Sequence, residues 1–232
     1  LNVWMKRDVS HGPTLFLPAN KSAVVCLTQR RERNTMDKEE IYGKIRGGLI
    51  VSCQALESEP LHGSEMMARM AFAAKEGGAS GIRANTPEDI LAIRQQVDLP
   101  VIGIIKAEYP DSEVYITPTR QEVEKLIAVH PEIIALDATD RIRPAGETLE
   151  HLFETIRKDY PDQLFMADCS CYEDGMRAQE LGFDIVGTTL CSYTEKTKGT
   201  AIPNYDMIHR LTQDLKIPVI AEGGIWETGQ LQ

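Results

Sequence analysis

Lys106 closes the run Val101-Ile102-Gly103-Ile104-Ile105, so a cationic side chain ends an otherwise apolar stretch. A lysine partly removed from water loses some of its preference for the charged form, which suits it to act as a base or a Schiff-base nucleophile. Glu222 stands in the same relation to Pro218-Val219-Ile220-Ala221 and is followed by Gly223-Gly224. A carboxylate there is a candidate general acid or base, and two consecutive glycines present N–H groups that can cradle a phosphate. Arg83 follows Gly81-Ile82 and offers a guanidinium that grips a carboxylate or a substrate oxygen through two parallel bonds. Asp168 ends a further apolar run and is placed to hold Arg83 or Lys106, the plainer reading of such a pair being a structural ion pair. Gln54 adds a polar side chain behind Gly48–Cys53. Each feature alone is ordinary, and a glycine pair is common loop chemistry. Lysine, carboxylate and glycine pair together on one rim are more specific. The arginines of the loop after Asp137, Arg141 and Arg143, read as solvated surface. His62, His130, His151 and His209 are scattered without metal-ligand spacing, so neither a metal nor a cofactor is expected.

The elements that must position these residues alternate along the chain. Strands are predicted at Gly48–Gln54, Ser80–Ala84, Pro100–Lys106, Glu132–Asp137, Gln163–Asp168, Asp184–Thr188 and Ile217–Glu222. Several are almost continuously apolar, as parallel strands buried on both faces are. Helices are predicted at Asp37–Arg46, Glu65–Glu76 with Ser64 as its cap, after Thr86-Pro87, after the capping box of Thr119 and Glu122, and at Glu147–Asp159, Glu173–Leu181 and Tyr205–Leu215. Repeated βα units leave a closed (β/α)8 TIM barrel or an open doubly wound sheet. The Gly-rich dinucleotide fingerprint is absent after the first strand, where Ser52-Cys53-Gln54-Ala55 stands. Polar residues end nearly every strand, and a barrel places its active site there, so the barrel is favoured. Seven strands are read where a barrel needs eight. The expectation is an eighth βα unit missing from the C-terminus, or a substitute formed by Ser22–Thr28 with helix Asp37–Arg46.

Composition bounds the function. The 232 residues carry 25 Lys and Arg against 35 Asp and Glu, a net charge of −10 that argues against a nucleic-acid partner. No apolar run reaches the length needed to cross a bilayer, so no membrane partner is expected. Cys26, Cys53, Cys169, Cys171 and Cys191 are odd in number and form no CxxC pair, which fits reduced thiols and a cytoplasmic location. Residues 1–35 hold six basic residues against two acidic ones and read as an extension, with Met36 opening the functional domain at 36–232.

With those residues in place the motifs become recognisable. Gly48-Leu49-Ile50-Val51-Ser52-Cys53-Gln54-Ala55-Leu56, Gly81-Ile82-Arg83-Ala84, Ile102-Gly103-Ile104-Ile105-Lys106 and Val114-Tyr115-Ile116-Thr117-Pro118-Thr119 resemble the N-acylglucosamine-6-phosphate 2-epimerase family. So do Ala135-Leu136-Asp137-Ala138-Thr139, Met166-Ala167-Asp168, Gly187-Thr188-Thr189-Leu190 and Ala221-Glu222-Gly223, in order over residues 36–232. The resemblance implies a (β/α)8 barrel that converts N-acetylmannosamine 6-phosphate to N-acetylglucosamine 6-phosphate in sialic acid catabolism, with no cofactor, by a proton shift at C2 of the opened sugar. It implies that Lys106 is the base, that Glu222 is the carboxylate across the reacting centre, and that Arg83, Asp168 and Gln54 orient substrate polar groups. The family's eighth strand, with its phosphate-binding arginine, would follow Gln232, which leaves Gly223-Gly224 as half of a phosphate site. The partner is then a small amino-sugar phosphate. A homodimer is an expectation, although the sequence does not fix the oligomeric state. A Schiff-base, aldolase-like barrel and a non-catalytic truncated barrel are the alternatives.

Overall fold

A computed structural model describes residues 36–231. The strands are β1 (Ile50–Cys53), β2 (Gly81–Asn85), β3 (Val101–Ile104), β4 (Ile133–Asp137), β5 (Leu164–Asp168), β6 (Ile185–Gly187) and β7 (Val219–Ile220). The helices are α1 (Lys38–Ile45), α2 (Ser64–Glu76), α3 (Pro87–Gln96), α4 (Arg120–Ile127), α5 (Leu149–Asp159), α6 (Tyr172–Leu181) and α7 (Tyr205–Asp214), with 3-10 turns at Pro144–Gly146 and Thr228–Leu231. All seven strands are parallel and lie in sequence order, β1-β2-β3-β4-β5-β6-β7. A doubly wound sheet reverses its strand order at a switch point, and this one does not, so the fold is of the TIM-barrel type. The segment Ser22–Thr28 lies outside the described residues.

Two apolar layers explain why the sequence curls this way. Ile102, Ile104, Ile133, Ala135, Leu164, Met166 and Ile185 meet in one buried cluster inside the sheet. Their sequence neighbours Val101, Ile134, Leu136, Phe165, Ala167 and Val186 join the other cluster, with Ala71, Ile90, Leu126, Phe153, Ala178 and Leu211 of the helices. Alternate residues therefore face the barrel interior and the helical shell, the period-2 rule of a strand applied on both faces. Helix α1 adds Ile41 and Ile45 to the interior cluster.

Local signals hold in most places and shift in a few. Thr86 caps α3, its hydroxyl accepting from Asp89 N at 3.3 Å. The capping box forms at α4, where Thr119 Oγ1 accepts from Gln121 N and the Glu122 carboxylate accepts from Thr119 N at 3.1 Å. Ser64 is not a cap. Gly63 holds that position and Ser64 starts α2, its hydroxyl donating 2.7 Å to Asp89 Oδ1 on α3. Strands β6 and β7 are shorter than predicted, and side chains bond the neighbouring backbone at their ends. Asp184 Oδ2 accepts from Phe165 N at 3.0 Å, and Thr188 Oγ1 both accepts from Glu222 N and donates to Glu222 O. Among the described residues no helix is long and apolar enough to cross a membrane. Cys53, Cys169, Cys171 and Cys191 are free thiols.

Candidate functional site

Counting in twos from the interior cluster places the candidate residues. Lys106 follows Ile104 in the inward phase, Asp168 follows Met166, Asp137 follows Ala135 and Glu222 follows Ile220. Arg83 lies between Ile82 and Ala84, which face the helices, so it also points inward. One rim at the C-terminal ends of the strands thus collects cation, base candidate and carboxylates, where a TIM barrel performs its chemistry.

Arg83 organises that rim. Its Nη2 donates 2.6 Å to Asp168 Oδ2, its Nη1 lies 3.3 Å from Oδ1, and its Nε lies 3.3 Å from Glu222 Oε1. Thr189 Oγ1 links the two carboxylates, 2.7 Å from Asp168 Oδ1 and 3.1 Å from Glu222 Oε2. Burial works against the Arg83 charge, but Asp168 and Glu222 outweigh it and hold the guanidinium protonated. Burial, aided by the charge of Glu222, pushes the Asp168 carboxyl up to about 6 against the pull of Arg83. Arg83 and Asp168 are buried, whereas the Glu222 side chain is 28% exposed and is the member of this group that a ligand can reach. The sequence left Asp168 open between Arg83 and Lys106, and the structure gives it to Arg83.

Lys106 is half-buried, and among the described residues its Nζ has neither a hydrogen bond nor an ion pair. Burial lowers its pKa, the nearby Arg83 charge lowers it further, and Glu59 and Glu222 oppose the change. Its backbone is fixed from both sides. Lys106 N donates 2.9 Å to the side-chain oxygen of buried Asn85, and Lys106 bridges antiparallel to Ile116.

That bridge belongs to a segment the strand assignment overlooked. Strands β3 and β4 pair at only two positions, Ile102↔Ile133 and Gly103↔Ile134. Beyond them residues 115–117 fill the gap. On one side Ala107 N donates to Tyr115 O at 2.9 Å and Thr117 N to Ile105 O at 2.7 Å. On the other Asp137 N donates to Ile116 O at 3.1 Å and Thr117 Oγ1 to Ala135 O at 2.7 Å. Arg143 clamps the far end, donating to the carbonyls of Thr117, Pro118 and Asp137. The expectation of solvated arginines is therefore corrected. Arg143 is 1% exposed because three carbonyls need its donors, and Arg141 pairs with Asp137 at 2.5 Å. One signal in the sequence marks this hairpin: Pro110-Asp111, turn formers between the bridged Tyr109 and Ser112, ahead of the β-rich run Val114–Thr117. Asn85 and Thr189 were also left out of the candidate set, and their position at a strand end was the available cue.

Among the described residues Gln54 and the glycines make no hydrogen bond to the ion cluster. Gln54 Nε2 donates 2.8 Å to Ser52 Oγ at the end of its own strand. Gly223 and Gly224 take φ values of 100° and 71°, and a Cβ on Gly224 would sit 2.6 Å from Ile202, so the turn beside Glu222 requires glycine. A cavity of about 910 Å³ opens between β1 and β7, and Ser52, Arg83, Glu222, Gly223 and Gly224 line it.

Comparison with known proteins converges on one family. Residues 67–231 match the family model described as "Putative N-acetylmannosamine-6-phosphate epimerase". Two relatives carry the name "Putative N-acetylmannosamine-6-phosphate 2-epimerase". One, from Enterobacter sp. (strain 638), is 55% identical over 183 residues, 78% of each chain. The other, from Listeria innocua serovar 6a, is 53% identical over 187 residues, 80% of this chain and 81% of its own. The solved structure of the N-acetylmannosamine-6-phosphate 2-epimerase from Clostridium perfringens matches with a TM-score of 0.79 and 46% identity over 84% of both chains. Thiamine phosphate pyrophosphorylase from Pyrococcus furiosus, at 16% identity and a TM-score of 0.51 over 78% of this chain and 77% of its own, shares the fold alone.

Proposed function

The chain belongs to the N-acetylmannosamine-6-phosphate 2-epimerase family, and we propose that it interconverts N-acetylmannosamine 6-phosphate and N-acetylglucosamine 6-phosphate by removing and returning the proton at C2. The observation that carries this reading is an unpaired, half-buried Lys106 on the same rim as the Arg83–Asp168–Glu222 cluster.

The chemistry follows from what each group can do. Ring opening exposes an aldehyde at C1, which acidifies the C2 proton. Neutral Lys106 takes that proton from one face and becomes an ammonium, leaving the electron pair in an enolate whose oxygen is on C1. Glu222 in its protonated form delivers a proton to C2 from the other face and becomes a carboxylate, and the reverse reaction exchanges the two roles. Proton exchange with water resets both groups. A base with a lowered pKa serves this step because its neutral form is populated at lower pH. Arg83 supplies positive charge where the enolate forms, and Asp168 fixes its plane. Gln54 orients substrate hydroxyls. The N–H groups of Gly223 and Gly224 serve as one part of a phosphate cradle.

Residues 36–232 are the catalytic unit in this proposal, with residues 1–35 outside it, and the enzyme works in the cytoplasm on a small-molecule substrate. Exposed Leu49, Leu56, Leu61 and Phe72 leave apolar surface consistent with a homodimer. The test is turnover followed by NMR. Wild type produces the gluco epimer, Lys106→Ala loses at least about 10²-fold in kcat, and borohydride with substrate leaves no adduct on Lys106. A trapped adduct would overturn proton abstraction in favour of Schiff-base chemistry.

A further inference from the structure

Residues 115–117 do more than support Lys106, because they carry a side chain that the proposed mechanism leaves unused. Tyr115 is half-buried and packs against the interior apolar cluster. Its phenol interacts electrostatically with Asp168, Arg141, Asp137 and Tyr193, and Arg83 responds to it in turn. It therefore lies on the charged rim, on the side of β4 and β5. Apart from Lys106, the polar groups around it are engaged: Arg83 with Asp168 and Glu222, Thr189 with both carboxylates, Arg141 with Asp137. Among the described residues the Tyr115 hydroxyl has no hydrogen-bond partner. A half-buried hydroxyl left without one is costly unless something else completes it.

We propose that Tyr115 is a substrate-contacting residue whose phenol donates a hydrogen bond to an oxygen of the opened amino-sugar. The proposal rests on the epimerase reading and adds a residue to it. The backbone is suited to the task. Tyr115 O accepts from Ala107 N, the next residue is paired on both sides, and Thr117 is held at φ 46° by bonds to β3 and β4 and by Arg143. The ring is thus delivered from a fixed strand rather than a free loop, and it is tied to the same three residues that set Lys106. Burial, followed by the charge of Asp168, pushes the phenol above its ordinary pKa, so it stays protonated and acts as a donor.

Tyr115→Phe tests this with little disturbance, since it keeps the ring in its packing and removes a hydroxyl that bonds to no described residue. Wild type and variant are compared with N-acetylmannosamine 6-phosphate at least about 15 °C below the lower melting midpoint. The expected result is a fall of about tenfold in kcat/KM, through kcat or KM, with the melting midpoint unchanged or slightly raised. A purely structural tyrosine would leave kcat/KM within twofold of wild type, and that result would overturn the proposal. Absence of turnover in the wild type would instead defeat the epimerase reading and this inference together, so the two failures are distinguishable.

Discussion

In the proposed reaction Lys106 and Glu222 divide the work, and they differ in what surrounds them. Lys106 is half-buried, and burial and the charge of Arg83 push it toward neutrality, while Glu222 opposes that push. Since a lowered lysine pKa means more free amine at a given pH, the acid limb of kcat/KM should lie below the ordinary value of 10.5. In Glu222→Gln one opposing negative charge is gone, so the pKa of Lys106 falls further. The acid limb for C2 proton exchange should move to lower pH in that variant, and a limb that stays put or rises would contradict the assignment. Arg83 makes a second prediction. Lysine in its place keeps the charge but not the two parallel bonds to Asp168, so Arg83→Lys should fold and lose about 10- to 100-fold in kcat/KM. Lys106 and Glu222 were legible in the sequence because each ends an apolar run, and Arg83 because it is the one cation of a short strand. Which of them paired with Asp168 was not, since that depends on side chains 85 residues apart.

At the scale of elements, Asp184 joins the base of the barrel. Its carboxylate accepts from Lys38 of α1 at 2.7 Å, from Arg157 of α5 at 2.5 Å and from Phe165 N on β5, while its carbonyl accepts from the Tyr42 hydroxyl. Burial would raise its pKa, but these donors outweigh that and hold the carboxyl below its ordinary 3.8. With the folded pKa below the unfolded one, the stabilisation is full above about pH 4 and is lost as pH falls through the folded value. Asp184→Asn should cost about 2–4 kcal/mol at pH 7 in denaturant unfolding, and the gap from wild type should narrow below about pH 4. A gap constant with pH would mean that shape rather than charge holds the joint. Strand and helix positions were legible from apolar runs and caps, because those signals are local. For residues 115–117 the local signal marks a hairpin but not its insertion between β3 and β4. Its clamp, Arg143, gathers carbonyls from 6, 25 and 26 residues away, and no local pattern marks an arginine for burial by such acceptors.

For the whole molecule, a net charge of −10 works against a phosphorylated substrate, so affinity has to come from local N–H groups and cations. Gly224→Ala would strain a residue at φ 71° and drive a Cβ into Ile202. We expect KM for the sugar phosphate to rise about tenfold or more with a smaller change in kcat, and an unchanged KM would remove this turn from the phosphate site. The barrel topology was legible from seven regularly spaced strands, and their sequential order bears it out. The central claim remains the removal of a proton from one face of C2 and the delivery of another to the opposite face. Its most direct test is the reaction run in D2O and followed by NMR, with wild type, Lys106→Ala and Glu222→Gln side by side. The account predicts deuterium at C2 of both epimers with wild type and, with Lys106→Ala, no conversion and no exchange of the epimer whose C2 proton Lys106 removes. With Glu222→Gln, one epimer should exchange without inverting. Conversion that keeps protium at C2 throughout would contradict it.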